Sequence, residues 1–452
     1  MERFLRYKPN ILEIFLILSP IIDIFTSICE RIIDINMSIG TIVRSTFLLL
    51  ITLFVLFKST SKYRKISIIY FCITALYSGF FFINIYINKG YNNIIFEIKE
   101  YVKTIFFPIC TIGLLNYFET KKYKIDYKLY FFIIIEYITL LFIPGITNLS
   151  FESYSQDKIG TIGWFFSGNE ISNIYAILIV FVIFNYDNIK NNLVYLAITS
   201  FCLYTIMQIG TKIPAISALF TIIVFVSIKL IHVSLNKYRI NIKFISTFIV
   251  LFMIYGLIFV NSPVFKNFDI YKNYLIDNRE ILTEIRNMDE NIENEEKPVD
   301  IANNTDDKTL TNNEIATIIH SGRIETKNEI SKKFHNSGIL EKMLGLGKLD
   351  ILEETQNLSE IDYFDILYNY GYVGFIIYFA PIIYIVIGIL KNIKIKEIVT
   401  DNTLCAYIIS LLIAIFLCAI SGHTYTAPAV SIFISLILTQ LFQEIVERKE
   451  EI

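Results

Sequence analysis

The sequence predicts an all-α protein, a polytopic integral membrane helix bundle of about twelve transmembrane helices with one large extracytoplasmic loop. Three observations predict this class. Of the 452 residues, 54% are hydrophobic and only 18% are charged, against roughly 25% charge in soluble domains, and the mean hydropathy is +0.55. The apolar residues form runs of roughly 17 to 25, the length that crosses a ~30 Å hydrocarbon core. Basic residues also collect in alternate loops, as in polytopic membrane proteins.

Apolar windows, taken in order, locate the individual spans. They predict helices at residues 11–29, 38–57, 66–87, 101–118, 129–147, 168–186, 193–209, 213–235, 244–262, 363–390, 403–420 and 429–445. The count divides the chain into an N-terminal bundle at 1–262 with about nine spans, a hydrophilic segment at 263–361, and a C-terminal bundle at 362–452 with about three spans.

The placement of basic residues predicts the orientation of these spans. Four loops that would lie on the same side as the N-terminus are rich in Lys and Arg, and their basic residues are Lys58, Lys62, Arg64, Lys65, Lys121, Lys122, Lys124, Lys128, Lys237, Arg239, Lys243, Lys391, Lys394 and Lys396. Because cytoplasmic loops collect such residues, we expect a multi-pass protein of the cytoplasmic membrane with both termini inside. The net charge of −2 gives no indication of a nucleic-acid partner.

The hydrophilic segment 263–361 then falls on the outer side. Its middle, 287–313, is dense in Asn, Asp and Glu, which predicts a surface excursion. Farther along, apolar residues recur at helical spacing among charges, at Ile315, Ile318, Ile319, Ile324, Ile330 and Phe334. This periodicity predicts short amphipathic helices over the mouth of the bundle.

Charged residues within or beside the spans are the candidates for chemistry, because a charge in a membrane is costly. Under the predicted topology they gather near the outer surface, at Asp23, Arg44, Lys99, Glu100, Lys103, Lys212 and His423. The main exception is Glu136, toward the cytoplasmic half of the fifth span, for which we expect a structural role. One interpretation is structural: the lysines snorkel to the interface, and Arg44 forms a buried pair with Asp23. The other is a site for an anion, since Arg and Lys together suit a diphosphate.

Several short stretches resemble the superfamily of O-antigen polymerases and O-antigen ligases. They are Ile209-Gly-Thr-Lys212, Ser321-Gly-Arg323-Ile, Leu344-Gly-Leu-Gly347, Glu360-Ile-Asp362-Tyr-Phe-Asp365, Gly371-Tyr-Val-Gly374 and Gly422-His423. In the ligase branch a His precedes the two glycines that match Gly371 and Gly374. Here Glu360 stands at the position of that His, which favours the polymerase-like branch.

The resemblance implies a membrane glycosyltransferase that polymerises polyprenyl-diphosphate-linked oligosaccharide repeats on the outer side, with inversion and with no metal or other cofactor. Donor and acceptor would both be lipid-linked glycans in the membrane, and a chain-length regulator or a flippase would be a candidate partner protein. The implied roles are a general base for Glu360, the positioning of the acceptor sugar or of Glu360 for Asp362, and a place in the cavity for His423, where it would contact phosphate or orient a catalytic group. The implied diphosphate ligands are Arg323, Lys212, Arg44 and Lys103.

Two alternatives remain at this point. A ligase would transfer finished glycan to another acceptor, with the same donor. A flippase or transporter for lipid-linked oligosaccharide would share the substrate and the span number, but it would need no base and little mass outside the membrane.

Overall fold

The computed structural model describes residues 10–33, 38–154, 158–235, 241–277, 323–348, 351–352 and 359–446. These residues are predominantly α-helical, and their one isolated β-bridge joins Glu152 to Thr161, so the predicted all-α class is confirmed. Eleven helices in the described residues are long and apolar enough to cross a membrane.

The helices follow the predicted spans closely. The first ten are α1 (Ile11–Arg31), α2 (Ile39–Phe57), α3 (Arg64–Lys89), α4 (Tyr91–Lys121), α5 (Tyr127–Ile146), α6 (Gly168–Ile183), α7 (Asn192–Met207), α8 (Lys212–Leu235), α9 (Ile242–Val260) and α10 (Pro263–Asp277). The rest are α11 (Arg323–Asn336), α12 (Ile339–Leu344), α13 (Asp362–Asn392), α14 (Ile395–Thr400), α15 (Asn402–Ile420) and α16 (Pro428–Val446). A 3₁₀ turn, Phe184–Asn188, extends α6.

Polar caps fix where several spans begin. The side chains of Asp126, Asn191 and Asn241 each accept a backbone N–H of the following turn, all at 2.9 Å. Such caps satisfy amides that have no partner inside the helix. Each cap lies at the border between a hydrophilic loop and an apolar run, so the local sequence determines both the helix and its starting point.

The centre of the bundle is formed by α6 and α16. Every side chain of α6 from Ile171 to Ile183 is buried, and α16 is buried over nearly its whole length. A helix that is apolar on all sides is expected at the centre of a membrane bundle, surrounded by other helices. By contrast, α3 and α9 leave large apolar side chains such as Leu76 and Leu257 exposed, as helices that face lipid do.

The shortest predicted span, 193–209, corresponds to the 16-residue helix α7, which is not among the eleven long spans. Its neighbours α6 and α8 run parallel: Ser172 Oγ lies 2.6 Å from Thr211 Oγ1 at their starts, and Lys229 Nζ lies 2.5 Å from Asp187 Oδ2 at their far ends. The connection through α7 must therefore return across the same thickness, as a twelfth crossing.

The segment 263–361 contains short helices where it is described, namely α10, α11 and α12. Ile330 and Phe334 of α11 pack with Leu346, Ile351 and Tyr368 in a small apolar cluster, as the helical spacing predicted. The expectations for Ile315, Ile318, Ile319 and the acidic stretch 287–313 lie outside the described residues. The division of the chain into three parts stays a prediction.

Candidate functional site

A cavity of about 310 Å³ opens at the end of the bundle where α1 and α3 end and α2 and α4 begin. Much of its lining is ionisable: Asp23, Glu30, Arg44, Lys99, Glu100, Lys103, Glu170, Lys348, Asp365 and His423. Charges are tolerated at membrane depth chiefly where they face a polar cavity and find partners. The cavity therefore brings together charges that lie far apart in the sequence.

Arg44 occupies one wall of this cavity, and only 7% of the residue is exposed. Its guanidinium pairs with Asp23, and the Tyr137 hydroxyl donates to the other Asp23 oxygen at 3.2 Å. Gly40 leaves room for this arginine, because a Cβ there would lie 2.8 Å from Arg44 Nη1. The predicted buried pair is thus confirmed, and the same Arg44 lines the cavity.

A second cationic group is organised by Glu100. One oxygen of this carboxylate accepts from Lys103 Nζ at 2.7 Å, and the other accepts from Lys348 Nζ at 2.6 Å. The carboxylate thus holds two ammonium groups side by side at the cavity wall. Lys103 was predicted from the sequence, whereas Lys348 was not singled out, although it directly follows the Leu344-Gly-Leu-Gly347 motif.

Lys348 reaches the cavity because its segment is attached to a break in α13. At Gly371 the backbone has φ 65°, and the helix kinks. The carbonyls freed by the kink accept from Leu346 N (Tyr368 O, 2.9 Å) and Gly347 N (Asn369 O, 3.1 Å). We call residues 345–348 the strap. Two motifs that looked independent in the sequence, the strap glycines and Gly371, form one structural unit.

His423 lies in the loop 421–427, between α15 and α16, and lines the cavity. Buried Asp362 holds this loop: its carboxylate accepts from Thr424 N at 2.8 Å, Tyr425 N at 2.6 Å and Thr426 Oγ1 at 3.1 Å. Asn173 of α6 holds it from the other side, donating to Gly422 O at 3.0 Å. The loop is therefore fixed by groups from α6 and α13.

Arg323 and Glu360 form a second group beside the cavity. Nε and Nη2 of Arg323 donate to Glu360 Oε2 at 2.9 and 2.5 Å, and Nη1 donates to the Ile420 carbonyl. Glu360 packs against Gly422, where a Cβ would lie 2.5 Å from Glu360 O. Gly422 directly precedes His423 in the loop, so Glu360 lies against the neighbour of His423.

Lys212 begins α8, next to Thr211, and Lys158 lies nearby because Asn267 binds both chain segments, at Ile159 and Gly210. Lys158 Nζ stacks over the rings of Tyr154 and Tyr271. Burial and the positive charge of Arg323 both lower the pKa of the Lys158 ammonium. Arg323 is thus accompanied by further cations on its side of the loop.

The sequence predicted that Arg323, Lys212 and Arg44 would converge on one cavity and bind a diphosphate, and this role stays a prediction. Arg44, Lys103 and His423 line the cavity, whereas Arg323, Lys212 and Glu360 do not. The physical reason is the ion pair with Glu360, which holds Arg323 against the carbonyl end of α15. The predicted residues therefore form two neighbouring groups with the loop 421–427 between them.

Glu170 is a cavity residue that sequence reasoning missed. It lies in the first turn of α6, where Ser167 caps the helix, and it interacts electrostatically with His423 and Arg44. An acidic residue three positions after a Ser is typical of a helix start, so the pattern has a purely structural explanation. The feature of the sequence that could have identified Glu170 as a candidate is its position at the edge of an apolar span.

Comparison with known proteins identifies one family. Among curated proteins and solved structures, the chain finds no match. The sequence model of one family, described as O-antigen ligase like membrane protein, matches residues 6–448. Since that match covers nearly the whole chain, the protein belongs to the O-antigen ligase-like family of membrane proteins, whose members process glycans at the membrane.

Proposed function

We propose that the protein is a polysaccharide polymerase that joins polyprenyl-diphosphate-linked oligosaccharide repeats on the outer side of the cytoplasmic membrane. One observation carries the proposal. Cations from three separate segments, Arg44, Lys103 and Lys348, meet His423 in one cavity at the end of an apolar bundle. A lipid diphosphate has its charge at the membrane surface and its chain in the hydrocarbon, so this position suits it.

The reaction needs stabilisation of the diphosphate as it leaves. The acceptor hydroxyl attacks the anomeric carbon of the donor sugar from the face opposite the diphosphate. A new glycosidic C–O bond forms, the C–O bond to the diphosphate breaks, and its electron pair leaves with the diphosphate. Arg44, Lys103 and Lys348 would bind the negative charge that develops there, in surroundings that make such contacts strong. Their carboxylate partners Asp23 and Glu100 keep the cations in position before substrate enters.

Glu360 is the proposed general base for the acceptor hydroxyl. Both bonds from Arg323 reach Oε2, which leaves Oε1 for a sugar hydroxyl, and 35% of the Glu360 side chain is exposed. Arg323 then orients the base, in addition to any contact with phosphate. Asp362 is buried and binds the loop 421–427, so we assign it the positioning of His423.

A ligase that transfers glycan to a different acceptor is the second candidate, favoured by the family description itself. The two functions share the cavity and differ in the acceptor. A lipid-linked repeat that is extended into a ladder of products indicates a polymerase, whereas a single transfer to an acceptor without a diphosphate indicates a ligase.

The experiment measures glycan transfer by the purified protein in liposomes that contain the lipid-linked repeat. Wild type should release polyprenyl diphosphate and form longer glycans. Lys348→Gln should lower turnover roughly 10²–10³-fold, the usual effect of removing one group that stabilises developing charge. Glu360→Gln should lower it roughly 10²–10⁴-fold, as expected for a general base.

Lys266→Gln is the matched control, because Lys266 is an exposed lysine of α10 outside the cavity lining. Turnover in Lys348→Gln equal to that of Lys266→Gln would remove the cavity from the mechanism. Movement of the substrate across the bilayer with no new glycosidic bond would indicate a flippase instead.

A further inference from the structure

The side chain of Glu170 lines the charged cavity at the start of α6. Ser167 caps this helix, and its Oγ accepts from Glu170 N at 3.4 Å. Both residues are described, yet the reciprocal bond of a capping box, from Ser167 N to the Glu170 carboxylate, is not formed. Within the described part of the chain, this carboxylate makes neither a hydrogen bond nor an ion pair. A capping box therefore does not explain the acidic residue at this position.

Asp365, another carboxylate of the cavity wall, shows the difference. Its Oδ1 accepts from Ser359 N at 3.2 Å and from Ser359 Oγ at 2.6 Å. Glu170 interacts electrostatically with His423 and Arg44, but among the described residues it bonds to neither. An enclosed carboxylate is costly unless it accepts hydrogen bonds. A ligand whose groups donate hydrogen bonds would therefore satisfy Glu170.

The surroundings of Glu170 indicate the kind of ligand. Asn173, three residues farther along α6, donates to Gly422 O at 3.0 Å. Residues three apart lie on the same face of a helix, so Glu170 lies on the side of α6 that packs on the loop 421–427. Phe166, just before α6, also lines the cavity and is 48% exposed. An aromatic ring beside a few well-placed polar groups is typical of a small-molecule site, and a sugar offers both an apolar face and hydroxyl groups.

We propose that Glu170 binds the hydroxyl groups of the first sugar of the donor, the one bonded directly to the diphosphate. The inference rests on the proposed function, in which Arg44 and Lys103 bind the diphosphate, and both cations interact electrostatically with Glu170. An ionised carboxylate accepts hydrogen bonds and donates none, so it attracts sugar hydroxyls and repels phosphate oxygens. Glu170 thereby favours the lipid that carries a glycan over polyprenyl diphosphate without one, which is the product that must leave.

The test measures, in detergent, the affinities of the protein for two lipids, the lipid-linked repeat and undecaprenyl diphosphate without glycan. Wild type should prefer the repeat. Glu170→Leu should reduce this preference roughly 10–10²-fold, the usual effect of losing one hydrogen bond to a charged group. Glu170→Gln keeps an acceptor oxygen but loses the charge, so it should retain part of the preference and bind undecaprenyl diphosphate more tightly than wild type does.

Glu329→Gln is the matched control, because Glu329 is exposed on α11 and lies outside the cavity lining. It removes the same charge away from the cavity and should leave both affinities unchanged. In the transfer assay, added undecaprenyl diphosphate should inhibit Glu170→Gln more strongly than Glu329→Gln.

A preference in both Glu170 variants equal to that of Glu329→Gln would overturn the sugar site, and so would equal affinities of wild type for the two lipids. An equal loss of both affinities in both Glu170 variants would also overturn it, because Glu170 would then only support the cavity. If the variants lose the preference but wild type forms no new glycosidic bond, the sugar site stands and the proposed polymerase is refuted.

Discussion

Glu360 and His423 share an unusual backbone. Both are non-glycine residues with φ near 52°, in the left-handed region that costs about 1–3 kcal/mol and persists where the surroundings impose it. For His423 those surroundings are Asp362 and Asn173, which hold the loop on both sides. Two strained residues meet at Gly422, between the charged cavity and Arg323, and strain of this kind is typical of functional sites.

Replacing His423 by a residue that readily adopts the same backbone conformation distinguishes the role of the imidazole from the role of the loop conformation. Asn adopts the left-handed region readily, so His423→Asn should keep the loop and the melting temperature within about 2 °C of wild type. Transfer should nevertheless fall at least tenfold, because the imidazole is lost from the cavity. Full activity in His423→Asn would show that His423 only shapes the loop.

We expect the Arg44–Asp23 ion pair to contribute to the stability of the folded protein, in addition to the role of Arg44 in the reaction. Removing one partner leaves a buried charge uncompensated, so Asp23→Ala should lower the free energy of unfolding by about 3–5 kcal/mol. Asp187→Ala breaks the more exposed pair with Lys229 and should cost at most ~1 kcal/mol. Unfolding in detergent micelles compares the two, and equal losses would contradict a buried role for Asp23.

At the scale of elements, the strap and the kink of α13 stabilise each other. The Tyr77 hydroxyl lies between them, and its single proton is shared by two carbonyl acceptors, Leu344 O at 3.0 Å and Tyr370 O at 2.6 Å. The kink frees carbonyls, and the strap supplies the donors. A broken helix is tolerated at membrane depth only where its backbone groups are satisfied in this way, and the result is that Lys348 is held at the cavity.

Gly345 is the most sensitive point of this contact. It has φ +100°, and a Cβ would lie 2.1 Å from Asn369 O, so Gly345→Ala must displace the strap. We expect a lower melting temperature and a loss of transfer comparable to that of Lys348→Gln. Gly79→Ala, in α3 with no atom within 4 Å of the added Cβ, should be neutral or stabilising by up to ~1 kcal/mol. If Gly345→Ala were as stable and as active as Gly79→Ala, the coupling between the strap and the kink of α13 would be contradicted.

The sequence predicted the helices more completely than it predicted the site. Runs of apolar residues and polar caps are local, so each predicted span has a helix. The strap is not local: Leu346 bonds to Tyr368, and Lys348 to Glu100, across separations that periodicity cannot reveal. For the same reason the sequence grouped Arg323 with Arg44, because it could place both on one side of the membrane without showing the loop 421–427 between them.

At the scale of the whole molecule, the short helix α7 determines the orientation of everything after it. With α7 as a crossing, all four basic loops lie on one side. Without it, the loops near Lys237 and Lys394 would lie opposite those near Lys62 and Lys122, against the positive-inside tendency. The parallel packing of α6 and α8 supports the crossing, since α7 must return between them.

Reporter fusions test this topology directly. A phosphatase that is active only outside the membrane should be inactive when fused at Lys122, at Lys237 or at Ile452, and active when fused near Asn303. If α7 did not cross, the fusions at Lys122 and Lys237 would give opposite results, and the one near Asn303 would be inactive. That outcome would place the described part of segment 263–361 on the inner side, opposite Arg44 and Lys103, whose helices precede α7, and it would contradict the Lys348–Glu100 contact that brings both parts into one cavity.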